Sequence, residues 1–225
     1  MLKRFPIFLF IVASVVNVAA WIWGQSALAA LVKPALMPLL ALSTAACALD
    51  YRVDRRLLGW LVAAQLFGFL GDTLLIREGF IFFASGIGAF LIGHIFYISL
   101  FGGRSWKGLT WKEWVISLPF MMGGVYGLVR LLKISGDLLV PMAVYGFMLM
   151  LLIFSTLCGL IRFRHRGAWA LVSLGALLFT FSDALIAAET FEVVSFPLLD
   201  ATIMFTYLLA QSLLAIGGLR LCVKR

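Results

Sequence analysis

The chain has 225 residues, of which 64% are hydrophobic and only 12% are charged. Soluble domains carry about twice that charged fraction, and no water-soluble fold covers so much apolar surface, so the composition indicates an integral membrane protein. The net charge of +8 does not indicate a nucleic-acid-binding protein. The basic residues form short clusters between apolar runs, a pattern typical of membrane orientation and of contact with anionic headgroups.

Eight apolar segments are long enough to cross a hydrocarbon core about 30 Å thick, which takes about 20 helical residues. In chain order the predicted spans are 5–24, 27–49, 57–76, 80–102, 113–132, 138–161, 168–188 and 196–219. The connections are all short, so residues 1–225 are expected to form a single integral membrane domain, an all-α bundle of eight transmembrane helices. The first segment is also compatible with a signal peptide. We expect the first segment to be retained as a transmembrane helix, because together with the other seven spans it gives a symmetric pattern.

The distribution of basic residues predicts the orientation of the bundle. Fourteen Lys and Arg residues lie before the first span, in the second, fourth and sixth connections, or after the last span. The odd-numbered connections hold only three, which are Arg77, Arg130 and Lys133. Because basic connections remain on the cytoplasmic side, both termini are expected to be cytoplasmic, in a multi-pass protein of the cell (inner) membrane.

A weak internal repeat relates the two halves of the chain. "LVKPALMPLL" begins the second span as "LLVPMAVYGF" begins the sixth, and "FLGDTLLI" closes the third span as "FTFSDALIA" closes the seventh. Pro34 and Pro141 are 107 positions apart, and Asp72 and Asp183 are 111 apart. Units of four spans enter the membrane in the same direction, so the repeat would be parallel. It would bring the two aspartates to the same depth.

Four charged residues lie inside the predicted spans, where ionisable groups are costly and usually face a cavity or one another. Asp72 and Asp183 each lie 15 residues, or about 22 Å, beyond the predicted cytoplasmic start of their helices. Lys33 and Asp200 lie close to the external starts of spans two and eight. All four are expected in the external third of the bilayer. Two alternatives are that they extend into the headgroups, which suits Lys33 and Asp200 best, or that a Lys–Asp bridge is purely structural.

Further polar residues occur in spans four and eight. His94 and Tyr97 lie about 21 Å from the external end of span four, which places His94 too deep to reach Asp72 easily. A later start of that span would raise His94 to the middle of the membrane. Tyr207 and Gln211 are four positions apart and share a face of span eight. They indicate a polar interior or, equally, hydrogen bonds between helices.

The residue inventory excludes several kinds of site. The second histidine, His165, lies in the basic connection "RFRHRG", so a three-histidine zinc site is impossible, and Cys47, Cys158 and Cys222 have no spacing that suits ligation or a disulfide framework. No nucleophile elbow or phosphate loop occurs. The remaining chemistry is that of paired carboxylates, of which one is expected to hold its proton. Such a pair suits proton-driven cleavage of a lipid or proton-coupled transport.

Five motifs in order and spacing resemble the YhhN-like family of lysoplasmalogenases. They are "VKP" in span two, "GD" in span three, "GxGAFLxGHxxY" in span four, "SD" in span seven and "MxTYxxAQxLxxxG" in span eight, and the resemblance covers residues 32–219. It implies an eight-spanning fold that hydrolyses the vinyl ether bond of lysoplasmalogens. The products would be a fatty aldehyde and a glycerophosphoethanolamine or glycerophosphocholine. The sequence does not depart from the family at Lys33, Asp72, His94, Tyr97, Asp183, Tyr207 or Gln211.

The resemblance and the inventory together suggest a mechanism. Asp72 and Asp183 would be the catalytic acid and anionic carboxylate, in an order that the sequence does not give, as in the carboxylate pairs of glycosidases. Lys33 would hold the phosphate or tune the pair. The substrate-binding and orienting set is Lys33, His94, Tyr97, Asp200, Tyr207 and Gln211. The expected partners are a lysophospholipid substrate and membrane lipids, with no nucleic acid, metal or cofactor.

Two alternative functions use the same residues. The first is a membrane transporter or lipid-binding protein in which the aspartate pair relays protons. A transporter requires access from both faces of the membrane, whereas the ionisable residues here are predicted to lie toward one face. The second is a hydrolase that acts on a different ether lysolipid.

Overall fold

The computed structural model describes residues 5–163 and 166–224. Lys3, Arg4, Arg164, His165 and Arg225, which the orientation and inventory arguments used, lie outside the described residues. The described helices are α1 (Phe5–Ile22), α2 (Ser26–Ala48), α3 (Arg55–Leu75), α4 (Phe80–Ser105), α5 (Trp111–Leu131), α6 (Leu139–Arg162), α7 (Arg166–Thr190) and α8 (Leu199–Cys222). All eight are long and apolar enough to cross a membrane. The prediction of an all-α bundle of eight spans is confirmed.

Local sequence signals set several of the helix ends. Asp54 caps α3, because its Oδ1 accepts hydrogen bonds from the backbone N–H groups of Arg56 and Leu57 at 3.0 and 3.3 Å. Thr110 and Glu113 form a reciprocal capping box at the start of α5. These polar groups satisfy backbone donors that a helix leaves free at its first turn.

Two helix ends differ from the predicted spans in ways that affect the site. Helix α8 begins at Leu199 rather than at residue 196, because Leu198 has a φ of +81° and cannot belong to the helix. Asp200 is therefore in the first turn of α8. Helix α7 continues to Thr190, two residues past the predicted end at 188, so Glu189 is helical instead of lying in a connection.

The helices pack around α8, most of whose residues are buried. It packs extensively on α7 and also touches α1, α2 and α3, while α3 packs on α4 and α6 packs on α4, α5 and α7. Small residues permit the closest of these contacts, as is usual between helices in membranes. A Cβ atom at Gly217 would lie 2.9 Å from the carbonyl oxygen of Ala168, so α7 and α8 could not approach as closely with a larger residue there.

The two halves of the bundle correspond in their inner helices. Asp72 follows the first residue of α3, Arg55, by 17 positions, and Asp183 follows the first residue of α7, Arg166, by the same 17. Helix α4 packs on α6 as α8 packs on α2. The outer helices differ, because α1 packs on both α2 and α8 whereas α5 packs on α6 and buries only Met121 and Val125.

The bundle has two chemically different ends. At one end, here called the basic end, the α2–α3 connection pairs with the residues that follow α8. Val53 and Val223 form an antiparallel β-bridge, and the N–H of Lys224 donates to the carbonyl of Arg52 at 2.7 Å. The described basic residues at this end are Arg52, Arg55, Arg56, Arg104, Lys107, Lys112, Arg162, Arg166, Arg220 and Lys224. Asp72, Asp183 and Lys33 lie toward the opposite end, here called the site end.

Candidate functional site

Asp72 lies near the end of α3, where α2 and α8 meet it. Its side chain is buried, and both of its oxygens have partners. The hydroxyl of Tyr207 on α8 donates to Oδ2 at 2.8 Å, and the ammonium of Lys33 on α2 lies 3.8 Å from Oδ1. Because a buried carboxylate is tolerated only with such partners, the three residues form one structural unit.

Asp183 on α7 is also buried, with 8% of its surface exposed. The hydroxyl of Tyr145 on α6 donates a hydrogen bond to its Oδ2. Its other oxygen, Oδ1, makes no hydrogen bond within residues 5–163 and 166–224, and no Lys or Arg of those residues forms an ion pair with it. Each aspartate therefore accepts a hydrogen bond from a tyrosine hydroxyl on another helix. Asp72 also has the Lys33 ammonium beside it, whereas Asp183 has no ion-pair partner among the described residues.

Tyr145 is a candidate site residue that was not predicted from the sequence. It occurs in "LLVPMAVYGF", which was used only for the internal repeat. A hydroxyl in an otherwise apolar stretch four residues after Pro141 was the available signal. The signal was weak, because a tyrosine in a membrane helix commonly packs or lies at the interface.

An aromatic cluster joins the two Asp–Tyr pairs. Phe179, one turn before Asp183 on α7, has its ring 5.6 Å from that of Tyr207 and 4.8 Å from that of His94. The His94 ring in turn lies 5.5 Å from the ring of Tyr145. Three of these rings, Phe179, Tyr207 and Tyr145, belong to the larger of the two buried apolar clusters of the described residues.

His94 lies beside the donor to Asp183. Its Nδ1 is 2.7 Å from the carbonyl oxygen of Phe90, which assigns that nitrogen as the donor. The other nitrogen, Nε2, is buried without a hydrogen-bond partner among the described residues. Because buried polar atoms are rarely left unpaired, Nε2 is available to a water molecule or a ligand. The described structure has no hydrogen bond between His94 and Asp72.

Tyr97 and Gln211 form a second polar pair, deeper in the bundle. The Tyr97 hydroxyl on α4 donates to Oε1 of Gln211 on α8 at 2.6 Å. A Cβ atom at Gly68 on α3 would lie 3.3 Å from the Tyr207 hydroxyl and 3.5 Å from Nε2 of Gln211. Because Gly68 has no side chain, the Tyr207 hydroxyl and the Gln211 amide both have room beside α3. Gln211, the partner of Tyr97, and Tyr207, the donor to Asp72, therefore both lie beside Gly68.

Two cavities at the site end share the lining residues Leu75, Phe83 and Ile186. The first, here called the outer cavity, has a volume of about 320 Å³ and is lined by Lys33, Asp200 and several further residues. Glu189 and Thr190 are among them. Asp200 is therefore placed with Lys33 but apart from the aspartate pair. Glu189 was missed because the sequence placed it in a connection.

The second cavity, here called the apolar cavity, has a volume of about 30 Å³. Asp183 and Tyr145 line it together with apolar side chains, which are Leu75, Phe83, Ile87, Phe90, Met142, Ile186 and Ala187. Its volume corresponds to a single water molecule. The Asp183 carboxyl and the Tyr145 hydroxyl thus border the small apolar cavity, which adjoins the outer cavity with its charged lining.

Within residues 5–163 and 166–224, no group of three or more His, Cys, Asp or Glu side chains is arranged to hold a metal ion. Cys47, Cys158 and Cys222 are unpaired thiols. The described polar groups around the two aspartates are therefore carboxyls, hydroxyls, the His94 imidazole, the Gln211 amide and the Lys33 ammonium.

The fold and the site together define a multi-pass helical membrane protein with a buried pair of carboxyl groups. A sequence model of the YhhN family matches residues 28–218. Lysoplasmalogenase TMEM86B of Mus musculus is 32% identical over 163 residues, which are 72% of this chain and 64% of the relative. Lysoplasmalogenase TMEM86B of Homo sapiens is 32% identical over 151 residues, or 67% of this chain and 59% of the relative.

The chain belongs to the YhhN family. It spans about three fifths of the length of the curated relatives that it matches. No solved structure matches it.

Proposed function

We propose that this chain is a lysoplasmalogenase. It would hydrolyse the vinyl ether bond of a lysoplasmalogen to a fatty aldehyde and glycerophosphoethanolamine or glycerophosphocholine. The observation that carries the proposal is the pair of buried carboxyl groups, Asp72 and Asp183, with different electrostatic partners at one end of the bundle. Membership of the YhhN family and the names of the curated relatives support the same activity.

Hydrolysis of a vinyl ether begins with a proton transfer to carbon. An acid protonates the outer alkene carbon, and the positive charge that results is shared between the inner carbon and the ether oxygen as an oxocarbenium ion. Water adds to the inner carbon and loses a proton, which gives a hemiacetal. The hemiacetal breaks its bond to the glycerol oxygen and releases an aldehyde and an alcohol. The reaction therefore needs an acid, an anion near the cation and a base for water.

We assign Asp183 as the acid and Asp72 as the anion. The Lys33 ammonium and the Tyr207 hydroxyl occupy both oxygens of Asp72 and favour its charged form. Asp183 receives one neutral donor, Tyr145, and its Oδ1 remains free to carry and donate a proton. When that proton leaves, the Tyr145 hydroxyl stabilises the new carboxylate, because hydrogen bonds to charged groups are stronger.

The two cavities suggest how the substrate would lie. The alkenyl chain would enter the apolar cavity beside Asp183, and the headgroup would occupy the outer cavity. Lys33 lies between Asp72 and the outer cavity and would bind the phosphate there. Glu189 and Asp200 would face an ammonium group of the headgroup. Because the apolar cavity is only about 30 Å³, the side chains between the two cavities must move when the chain enters.

The remaining polar residues would support the reaction without forming bonds to the substrate. His94, with its unpartnered Nε2, would hold the attacking water. Tyr97 and Gln211 would fix the position of the α8 segment that carries Tyr207. We further propose that the protein lies in the inner membrane with the basic end in the cytoplasm, which follows from the charge distribution. The site would then face the external leaflet.

The proposal is tested by measuring aldehyde release from lysoplasmenylethanolamine by the purified protein in detergent. Loss of a general acid or of its partner anion lowers rates by about 10²- to 10⁴-fold, so Asp72→Asn and Asp183→Asn should both fall in that range. Asp54→Asn is the matched control. It makes the same exchange at the basic end, where Asn caps α3 as well as Asp does.

Three outcomes separate the candidate functions. Aldehyde release by the native chain that both site variants lose supports the proposal. A native chain that binds the lysolipid without releasing aldehyde supports the alternative of a transporter or lipid-binding protein. Activity that persists in Asp72→Asn and Asp183→Asn would leave the activity in place and refute the aspartate-pair mechanism.

A further inference from the structure

A cavity at the basic end of the bundle has no role in the proposed reaction. It has a volume of about 960 Å³ and lies at the basic end, between the end of α2, the α2–α3 connection, the end of α4, the start of α7 and the end of α8. Asp72 is 17 residues beyond the start of α3, so the aspartate pair lies about 26 Å away along the helix axis. We call this space the basic cavity.

Cationic side chains dominate the polar lining of the basic cavity. Arg104, Arg220 and Lys224 line it, and Asp50 is the one acidic residue among its described lining. The guanidinium of Arg104 donates to the carbonyl of Leu221 in the last turn of α8. Within the described residues the side chains of Arg220 and Lys224 make no ion pair. The described lining thus carries more positive than negative charge, which indicates an anionic ligand.

Backbone contacts hold this cationic lining in place. The β-bridge between Val53 and Val223 and the hydrogen bond from the Asp54 N–H to the Cys222 carbonyl, at 2.8 Å, join the end of the chain to the α2–α3 connection. These contacts fix the backbone on both sides of the cavity. The backbone of Lys224 is held there as well, because its N–H donates to the carbonyl of Arg52.

A second, apolar cavity lies further along α8, here called the α1–α8 groove. Ile216, half exposed, lines the basic cavity. One turn earlier, Ser212 begins this groove, which has a volume of about 450 Å³ and is also lined by Leu209 and Phe205. Residues 205, 209, 212 and 216 fall on one stripe of the helix. A cationic cavity and an apolar groove that follow one another on the same stripe of α8 fit a molecule with an anionic head and a hydrocarbon chain.

We propose that the basic cavity and the α1–α8 groove bind an anionic phospholipid. Its phosphate would lie against Arg220 and Lys224, and one acyl chain would follow the stripe from Ile216 to Phe205. Basic pockets between transmembrane helices are a usual binding place for anionic headgroups. The bound lipid joins the end of α8 to α1 and to the α2–α3 connection. The site is independent of the proposed hydrolase activity and of its substrate.

The test is a titration of the purified full chain in dodecyl maltoside with palmitoyl-oleoyl-phosphatidylglycerol, followed by thermophoresis. Each basic residue close to an anionic headgroup contributes about fivefold to affinity. Arg220→Gln with Lys224→Gln should therefore weaken binding about 25-fold, and Lys224→Gln alone about fivefold. The control, Arg55→Gln with Lys112→Gln, removes the same charge from the same end without touching the cavity and should bind as the native chain does.

Two further probes identify the ligand. Palmitoyl-oleoyl-phosphatidylcholine, which lacks net charge, and glycerol 3-phosphate, which lacks chains, should each bind at least tenfold more weakly than the phosphatidylglycerol. Equal weakening in the two double variants would show that the binding depends on diffuse surface charge and would overturn the site. Glycerol 3-phosphate binding as tightly as the lipid would overturn the role of the groove. Neither result depends on aldehyde release.

Discussion

Replacing Tyr145 with phenylalanine removes one hydroxyl from the proposed site and keeps the ring. In the native chain that hydroxyl donates to Oδ2 of Asp183, and the ring lies 5.5 Å from that of His94 in an edge-to-face contact. The ring contact remains in the variant, so the packing of α6 against α4 and α7 is expected to persist. The change therefore isolates the hydrogen bond to the proposed acid.

The size of the effect follows from the change in charge on Asp183 during proton transfer. A hydrogen bond contributes about 1 kcal/mol when both partners are neutral and about 1.5–3 kcal/mol when one is charged. If Asp183 is neutral before proton transfer and anionic after it, the bond strengthens by about 0.5–2 kcal/mol. Tyr145→Phe should raise the barrier by that amount and lower kcat about 2- to 30-fold. KM should change little, because the bond is weaker when substrate binds.

The assay is aldehyde release, coupled to an aldehyde-reducing dehydrogenase, with kcat and KM determined separately. Tyr126→Phe is the matched control, because it removes a hydroxyl from an exposed side chain on α5 and should leave both constants unchanged. The assignment of Asp183 as the acid is refuted if Tyr145→Phe keeps the native kcat while Asp183→Asn is inactive. A rise in KM at constant kcat would instead give Tyr145 a role in substrate binding.

Three more predictions concern the site and the packing. Lys33→Met leaves the carboxylate of Asp72 without its cation. It should lower kcat/KM for aldehyde release by at least 10²-fold. Activity within twofold of the native value would remove Lys33 from the mechanism. Asp200→Asn should raise KM for lysoplasmenylethanolamine about fivefold at constant kcat, as expected for one ion pair with the headgroup; an unchanged KM would exclude that contact. Gly159→Ala should destabilise the fold by about 1–3 kcal/mol in thermal melts, because the new methyl group would overlap the ring of Trp169. Gly103→Ala, where nothing lies within 4 Å of the added carbon, is its control.

The sequence by itself determined the eight helices and the positions of the charged residues within them. A segment of about 20 apolar residues in a membrane has to satisfy its backbone hydrogen bonds internally, so helix formation is a local property. The positions of Asp72 and Asp183 within their helices follow from residue counting alone. The sequence placed Lys33 in the external third of the bilayer and Tyr207 on a polar face of span eight, without showing which carboxylate they contact.

Only the tertiary structure decided which side chains meet. Tyr145 donates to Asp183 and Tyr207 to Asp72, a pairing that depends on the order and rotation of the helices. In a soluble protein an apolar stripe reveals the buried face of a helix. Here both the lipid and the protein interior are apolar, so no such stripe marks the faces of α6 and α8 that point inward. The partners of the two aspartates therefore could not be read from the sequence.

The same physical difference explains the residues that were missed. Glu189 lies just beyond the apolar run of α7, and its place beside Lys33 and Asp200 depends on how α7, α2 and α8 converge at the site end. The basic cavity likewise depends on the pairing of the α2–α3 connection with the residues after α8. Hydropathy determines where a chain crosses the membrane, because it acts within each segment. Interhelical packing determines the candidate site and the cavities at both ends of the bundle, because it acts between segments far apart in the sequence.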